Sequence, residues 1–140
     1  MADWLADSAV KTVTYHRTSP AAARAIVEHS VSIERSRIGS YGQGFYSATK
    51  ADEFYGDAEI TVAICTRSPF VGDMSSVSES IDRLARHFSP TRRITPHVSM
   101  LIRRELLAAG YDAIVVRDAG GDGIDYVVAL DERIVRVVAT

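Results

Sequence analysis

Alternating apolar and polar residues predict a strand over residues 10–15, which runs directly into His16. Ser19 and Pro20 follow with the residue types of a helix N-cap and a first helical position, and apolar residues then recur at helical spacing. We therefore expect His16 at a turn between a strand and a helix. The polar, aperiodic stretch 30–41 predicts a loop or a short irregular strand.

The middle of the chain is divided by glycine and proline. Residues 45–48 predict a short strand after Gly44, and Thr49 with Asp52 three residues later has the pattern of a capping pair for a brief helix. Residues 59–66 alternate as a strand does, and we expect Pro69 to break that run.

The second half predicts two longer helices and three strands. Ser76 and Glu79 form a second capping pair before a helix that ends near Pro90, and a third helix spans 96–109. Strands are expected over 113–116, 125–130 and 134–138, with a glycine-rich turn at 119–123. Strands at both ends with helices between them predict an α+β fold, without βαβ regularity or internal repeats.

Composition narrows the class of protein. A chain of 140 residues fits one domain, spanning 1–140, and 46% apolar with 24% charged residues is ordinary for a globular protein. A formal net charge of −2 argues against non-specific binding to phosphate backbones, which needs clustered Lys and Arg. The single cysteine, Cys65, predicts neither an internal disulfide nor a cysteine zinc site.

The chain has no apolar run near the roughly 20 residues of a membrane span, and its start lacks the basic and apolar regions of a secretory signal. We expect a protein that does not enter membranes and that is cytoplasmic, or that is delivered into the cytoplasm of a target cell. Four scattered histidines lack the paired spacing of metal ligands, and the chain has no Gly-x-Ser-x-Gly motif, so neither a metal site nor a serine hydrolase is predicted.

Three short segments carry the candidate chemistry, and they occur in a fixed order. They are Tyr15-His16-Arg17-Thr18-Ser19, Gly42-Gln43-Gly44-Phe45-Tyr46-Ser47-Ala48 and Asp125-Tyr126-Val127-Val128. Together they resemble the His-Tyr-acid signature of the ADP-ribosyltransferase superfamily, in the group that includes poly-ADP-ribose polymerases and diphtheria toxin. The resemblance covers most of the chain, and it implies split mixed or antiparallel β-sheets with peripheral helices and NAD as the co-substrate.

The resemblance also implies roles for individual residues. His16, Tyr46 and Asp125 would be the catalytic residues, with the Asp125 carboxylate stabilising the positive charge that develops on the ribose as nicotinamide leaves. His16 would bind the adenosine-side ribose and Tyr46 would stack on nicotinamide. The remaining NAD-binding residues would be Arg17, Thr18, Gly44 and Tyr55.

The sequence departs from the family pattern at the acid. Most relatives have Glu where this chain has Asp125, which is one methylene shorter, and Gly123 stands where arginine-modifying relatives carry a second Glu. We therefore do not expect arginine to be the acceptor of ADP-ribose. Asp73, Asp122 and Glu132 are the alternative candidates for the catalytic carboxylate, and Asp73 would be the analogue of an acid in small antibiotic-modifying relatives.

The function that the resemblance implies is mono-ADP-ribosyl transfer from NAD to a macromolecular or small-molecule acceptor, as in a bacterial or phage toxin or effector. A cognate antitoxin or immunity protein would then be a partner. The alternative is a catalytically weak or inactive module that has the same fold and uses it to bind NAD or a partner protein, and the exchange of Glu for Asp keeps that alternative open.

Overall fold

The computed structural model describes residues 3–35, 39–50, 57–91, 93–119, 121 and 123–139. This part of the chain contains three α-helices and seven strands, together with short 3-10 helices at Ile33–Arg35 and Glu132–Ile134. The strands are β1 (Thr14–Thr18), β2 (Phe45–Ala48), β3 (Ala58–Ile64), β4 (Pro69–Asp73), β5 (Ala113–Arg117), β6 (Tyr126–Ala129) and β7 (Val135–Ala139). The helices are α1 (Pro20–His29), α2 (Met74–Phe88) and α3 (Pro96–Ala108). The predicted α+β class is confirmed.

Side-chain caps fix where each helix begins. The Ser19 hydroxyl accepts a hydrogen bond from the Ala22 amide at 3.2 Å, so the predicted N-cap of α1 is confirmed. Helix α3 is capped in the same way by Thr95, ahead of Pro96. Helix α2 begins earlier than predicted, because Asp73 rather than Ser76 is its N-cap.

The strands form one connected sheet in the order β4-β5-β6-β2-β1-β3-β7. All neighbouring strands are antiparallel except β4 and β5, which are parallel and are joined through α2 and α3. The sequence missed β4, since Pro69 was expected to end strand structure. Proline is tolerated as the first residue of an edge strand, which is its place here. The sequence did not predict this single crossover between parallel strands.

The sheet is folded back on itself. In a flat sheet β3 and β4 would lie about 24 Å apart, since four strands separate them at roughly 4.8 Å a step. Five residue steps join Ile64 to Pro69, and extended chain of that length reaches at most about 18 Å. The half made of β4, β5, β6 and β2 must therefore face the half made of β1, β3 and β7.

Two buried clusters follow from this folding. On one face α2 and α3 pack against β5 and β6, with fully buried side chains such as Ile81, Ile102 and Ile114. The second cluster lies between the two halves and combines Ile60 and Val62 of β3 with side chains of β5 and β6. The predicted split into separate sheets is thus replaced by one connected, folded sheet.

Among the described residues, no helix combines the length and apolar character needed to cross a membrane.

Candidate active site

The three motif strands are neighbours in the sheet. Strand β2, which carries Tyr46, lies between β1, which carries His16, and β6, which begins one residue after Asp125. Segments that are far apart in the sequence therefore meet at the centre of the sheet, where its two halves join.

Strands β1 and β2 pair over only a short length. Tyr15 opposite Ala48 is the single registered pair between these strands, whereas β1 pairs with β3 along its whole length. Beyond that pair the His16 side chain bridges the strands, with Nδ1 2.5 Å from the Tyr46 carbonyl oxygen. A hydrogen bond from the His16 side chain thus takes the place of backbone pairing between β1 and β2 beyond Tyr15.

His16 is held as a neutral acceptor. A carbonyl oxygen only accepts hydrogen bonds, so Nδ1 must carry the proton and the neutral ring keeps a lone pair on Nε2. The ring also stacks on Phe45, with centroids 4.2 Å apart and planes at 28°. Burial lowers the pKa of His16 below its usual value of 6.5, and the hydrogen bond to the Tyr46 carbonyl opposes this shift only in part.

A cavity of about 300 Å³ lies beside His16, between α1 and β2. Its polar wall includes His16, Thr18, Ser30 and Ser32, and its apolar wall includes Ala22, Ile26, Val31, Ile33 and Phe45. Gly44 and Tyr46 complete the rim. This cavity is wide enough for part of a dinucleotide, and it offers one ring-nitrogen acceptor together with several hydroxyls.

Tyr46 serves the site in a different way from the predicted stacking. Its hydroxyl donates to the Gly42 carbonyl at 2.6 Å and accepts from the Tyr41 amide at 2.8 Å. Its ring packs with the cluster below α2 and α3, and burial raises the pKa of the phenol. Tyr46 therefore fixes the turn before β2 through its side chain and orients His16 through its carbonyl.

Gly44 is required by the packing of two strands. A Cβ atom there would overlap a methyl group of Val128 and lie 3.0 Å from the carbonyl oxygen of Ala129. Both are on β6, which pairs with β2, so any larger residue would push these strands apart. The predicted NAD-binding glycine thus has a structural role as well as its place at the cavity.

The other predicted NAD-binding residues do not all lie at the cavity beside His16. Thr18 lines the cavity beside His16, whereas Arg17 alternates to the opposite side of β1. Arg17 lies 3.8 Å from the Glu59 carboxylate, and its Nε is buried without a hydrogen-bond partner among the described residues. Tyr55 lies outside the described residues.

Asp125 lies on the same side of the sheet as His16, but in a second cavity. The carboxylate accepts a hydrogen bond from the Asp118 amide at 2.8 Å, and the Asp125 amide donates to the Thr49 hydroxyl at 2.9 Å. This cavity, of about 250 Å³, shares no lining residue with the cavity beside His16. Phe45, which stacks on His16, and Thr49 are four residues apart, a span of about 13 Å in extended chain.

The alternative acids have structural partners. Asp73 caps α2 by accepting from the Ser76 amide at 2.8 Å, and this hydrogen bond lowers the pKa of the exposed Asp73 carboxyl. Glu132 accepts from the Ile33 amide at 2.9 Å. Asp122 lies outside the described residues. Of the four candidate carboxylates, Asp125 is the one whose described surroundings place it beside both β2 and a cavity.

Comparisons with protein-family models, curated proteins and solved structures find no match to this chain. A functional proposal for this chain therefore rests on its own residues and their geometry. In the described part of the chain, no group of three or more His, Cys, Asp or Glu side chains is placed to hold a metal ion.

Sequence reasoning missed two parts of the site. Phe45 is buried against His16, and its position between Gly44 and Tyr46 was the available signal. Arg117 and Lys11 line the cavity of Asp125. Neither belongs to a motif, and only the pairing of β5 with β6 and the path of the N-terminal segment bring them there.

The lowered pKa of His16 predicts how stability depends on pH. As pH falls below 6.5 the unfolded chain takes up this proton before the folded one does, so folding stability is lost with falling pH, by up to about 1.4 kcal/mol per pH unit. Urea unfolding at pH 7.5 and 5.5 measures the loss. We expect His16→Gln to show a smaller loss and His29→Gln, at an exposed histidine, to match the wild type. An equal loss in His16→Gln would contradict the burial of a neutral His16.

Proposed function

We propose that this protein is an NAD-dependent mono-ADP-ribosyltransferase, with His16 and Asp125 as its principal active-site side chains. The observation that supports this most directly is that the three motif strands are consecutive neighbours in the sheet, in the order β6-β2-β1. An NAD-splitting site of the His-Tyr-acid type needs these three segments side by side, although they are dispersed along the chain.

The cavity beside His16 fits the adenosine end of NAD. A ribose hydroxyl can donate to the free Nε2 of His16, because Nδ1 is already bonded to the Tyr46 carbonyl. The apolar side of the cavity, which includes Ile26 and Phe45, suits a flat heteroaromatic ring. A neutral histidine is needed here, since a protonated Nε2 would be a donor and would no longer accept from the sugar.

Asp125 would act at the other end of the same substrate. NAD supplies a glycosidic bond whose cleavage leaves positive charge on the nicotinamide-side ribose, and a carboxylate held near that carbon lowers the barrier. The amides of Asp118 and Asp125 anchor the residue between β5 and β2. Thr14 and Ser47 lie between the two cavities, are both buried, and are joined by a hydrogen bond of 2.8 Å between their hydroxyls. A dinucleotide that reaches both cavities would have to displace this pair.

Tyr46 acts in this proposal as a positioning residue. Its carbonyl fixes the tautomer and the orientation of His16, and its hydroxyl holds the turn at Tyr41 and Gly42 that leads into β2. This role differs from the stacking on nicotinamide that the family resemblance implies.

A second candidate function is NAD binding without cleavage. The observation that favours it is the placement of Asp125 in a cavity separate from that of His16, with one carboxylate oxygen already bonded to the Asp118 amide. The short side chain of Asp gives less reach toward a substrate than Glu would.

Measuring NAD affinity and nicotinamide release on the same samples separates the two functions. For a transferase, the wild type binds NAD and releases nicotinamide, and His16→Ala weakens NAD binding by about tenfold or more, since one hydrogen bond and the ring contact with the sugar are lost. The control His29→Ala alters an exposed histidine on the last turn of α1 and leaves both measurements unchanged.

Binding without release would favour the second candidate. Absence of NAD binding by the wild type would overturn both.

A further inference from the structure

Two positively charged side chains line the cavity of Asp125, and the proposed reaction gives neither of them a role. The cavity is lined by Lys11 from the segment before β1 and by Arg117 at the end of β5, together with the hydroxyl-bearing Thr12 and Thr49. Among the described residues that line it, Asp125 is the sole acid. The side chains that line the cavity therefore have more positive than negative charges, while two carboxylates lie just outside this lining. They belong to Asp73, which is registered beside Arg117 and caps α2, and to Asp118.

Arg117 is available to a ligand. It follows Val116, which pairs with Tyr126, so the continued antiparallel register places it beside Asp125 on the same face. Its guanidinium is exposed and makes no hydrogen bond or ion pair with any described residue. Lys11 donates to the Ala6 carbonyl at 2.5 Å, which leaves two of its three donors free.

The surroundings of Asp125 also limit the kind of acceptor that fits. An alcohol or amine must lose a proton as it attacks, and a second acid commonly takes that proton. Here Gly123 stands two residues before Asp125 in place of such an acid, and the nearby Asp118 carboxylate holds the loop through one of its oxygens, which accepts from the Gly123 amide at 2.7 Å. A nucleophile that is already an anion at neutral pH needs no such base.

We propose that this second cavity binds a phosphate monoester, and that a phosphate oxygen of this ligand is the acceptor of ADP-ribose. The planar guanidinium of Arg117 would donate hydrogen bonds to two phosphate oxygens, and the Lys11 ammonium would add a second positive charge. In the transfer, the bond between the ribose carbon and the nicotinamide nitrogen breaks with its electron pair going to nicotinamide. A phosphate lone pair then forms the new carbon–oxygen bond, and no proton is transferred.

The transfer step rests on the proposed transferase activity, whereas the binding site can be tested without NAD. Titration of the protein with phenyl phosphate, followed by NMR or calorimetry, should show saturable binding that weakens about tenfold or more in Arg117→Gln. Arg104→Gln, at an exposed arginine of α3, is the matched control and should bind as the wild type does. Benzoate, which has the same ring and a carboxylate, should bind more weakly because it carries less charge.

Equal affinity of the wild type and Arg117→Gln for phenyl phosphate, or the absence of saturable binding, would overturn the site. A second measurement addresses the transfer: mass spectrometry of a mixture with NAD should detect ADP-ribosyl phenyl phosphate. Binding of phenyl phosphate together with nicotinamide release but without this product would overturn the acceptor assignment. Binding without any nicotinamide release would instead count against the transferase, and the phosphate site would stand.

Discussion

Replacing Asp125 with Asn is expected to lower the rate of nicotinamide release from NAD about 100-fold or more. The substitution keeps the size of the side chain and removes the negative charge that would stabilise the developing positive charge on the ribose, an effect worth roughly 10²–10³-fold for one preorganised group. The amide oxygen of Asn can still accept from the Asp118 amide, as the carboxylate does at 2.8 Å. The loss should therefore appear in turnover, with little change in NAD affinity or in unfolding free energy.

Three further variants make this test specific. Asp82→Asn removes a carboxylate from the exposed face of α2, where it pairs with Arg86, and should leave turnover unchanged. Asp73→Asn and Glu132→Gln alter the alternative acids, which the structure assigns to a helix cap and to the Ile33 amide. If Asp73→Asn abolished nicotinamide release and Asp125→Asn did not, Asp125 would not be the catalytic acid.

Local patterns predicted most elements of this fold because local physics determines them. The Ser19-Pro20 start of α1 and strand β2 at Phe45–Ala48 lie where the sequence placed them. The third predicted helix ends one residue later than α3 does. N-caps and alternation depend on neighbouring residues alone, so one sequence is enough to find them.

The errors arise where distant residues decide the structure. His16 was expected at a turn, but β1 continues to Thr18 because it pairs with β3 over its whole length. Strand β4 begins at a proline and is stabilised by its parallel partner β5, which follows two helices later. Alternation along a single segment contains no information about either partner.

The candidate site shows the same division. The sequence supplied His16, Tyr46 and Asp125, and the sheet places their strands side by side. The sequence did not show that the Tyr46 hydroxyl is hydrogen-bonded to the backbone of Tyr41 and Gly42. Nor did it show that Asp125 shares a cavity with Arg117. Those relations depend on which strands become neighbours and on how the sheet folds back, and both are properties of the whole chain.

The site depends on the helix-side core through the turn before β2. Ile102 of α3 is fully buried, and its Cγ2 lies 2.9 Å from where a Cβ atom on Gly42 would be, so it packs closely under that turn. The Gln43 amide donates to the Ser99 carbonyl on the same helix at 3.2 Å. Helix α3 thus supports the segment that leads to Gly44 and to the carbonyl that orients His16.

Truncating this support gives the largest stability effect we predict. Ile102→Ala should lower the free energy of unfolding by about 2–5 kcal/mol, because it removes buried contacts and leaves a cavity, and a domain of this kind has only about 5–15 kcal/mol in total. Urea unfolding measures it, with Ile102→Val expected to cost about 0.5–1.5 kcal/mol. Val27→Ala, at a 48% exposed position on α1, should change stability by less than about 0.5 kcal/mol. Equal effects of Ile102→Ala and Val27→Ala would mean that α3 does not pack beneath the turn, and the positioning of His16 would lose its structural basis.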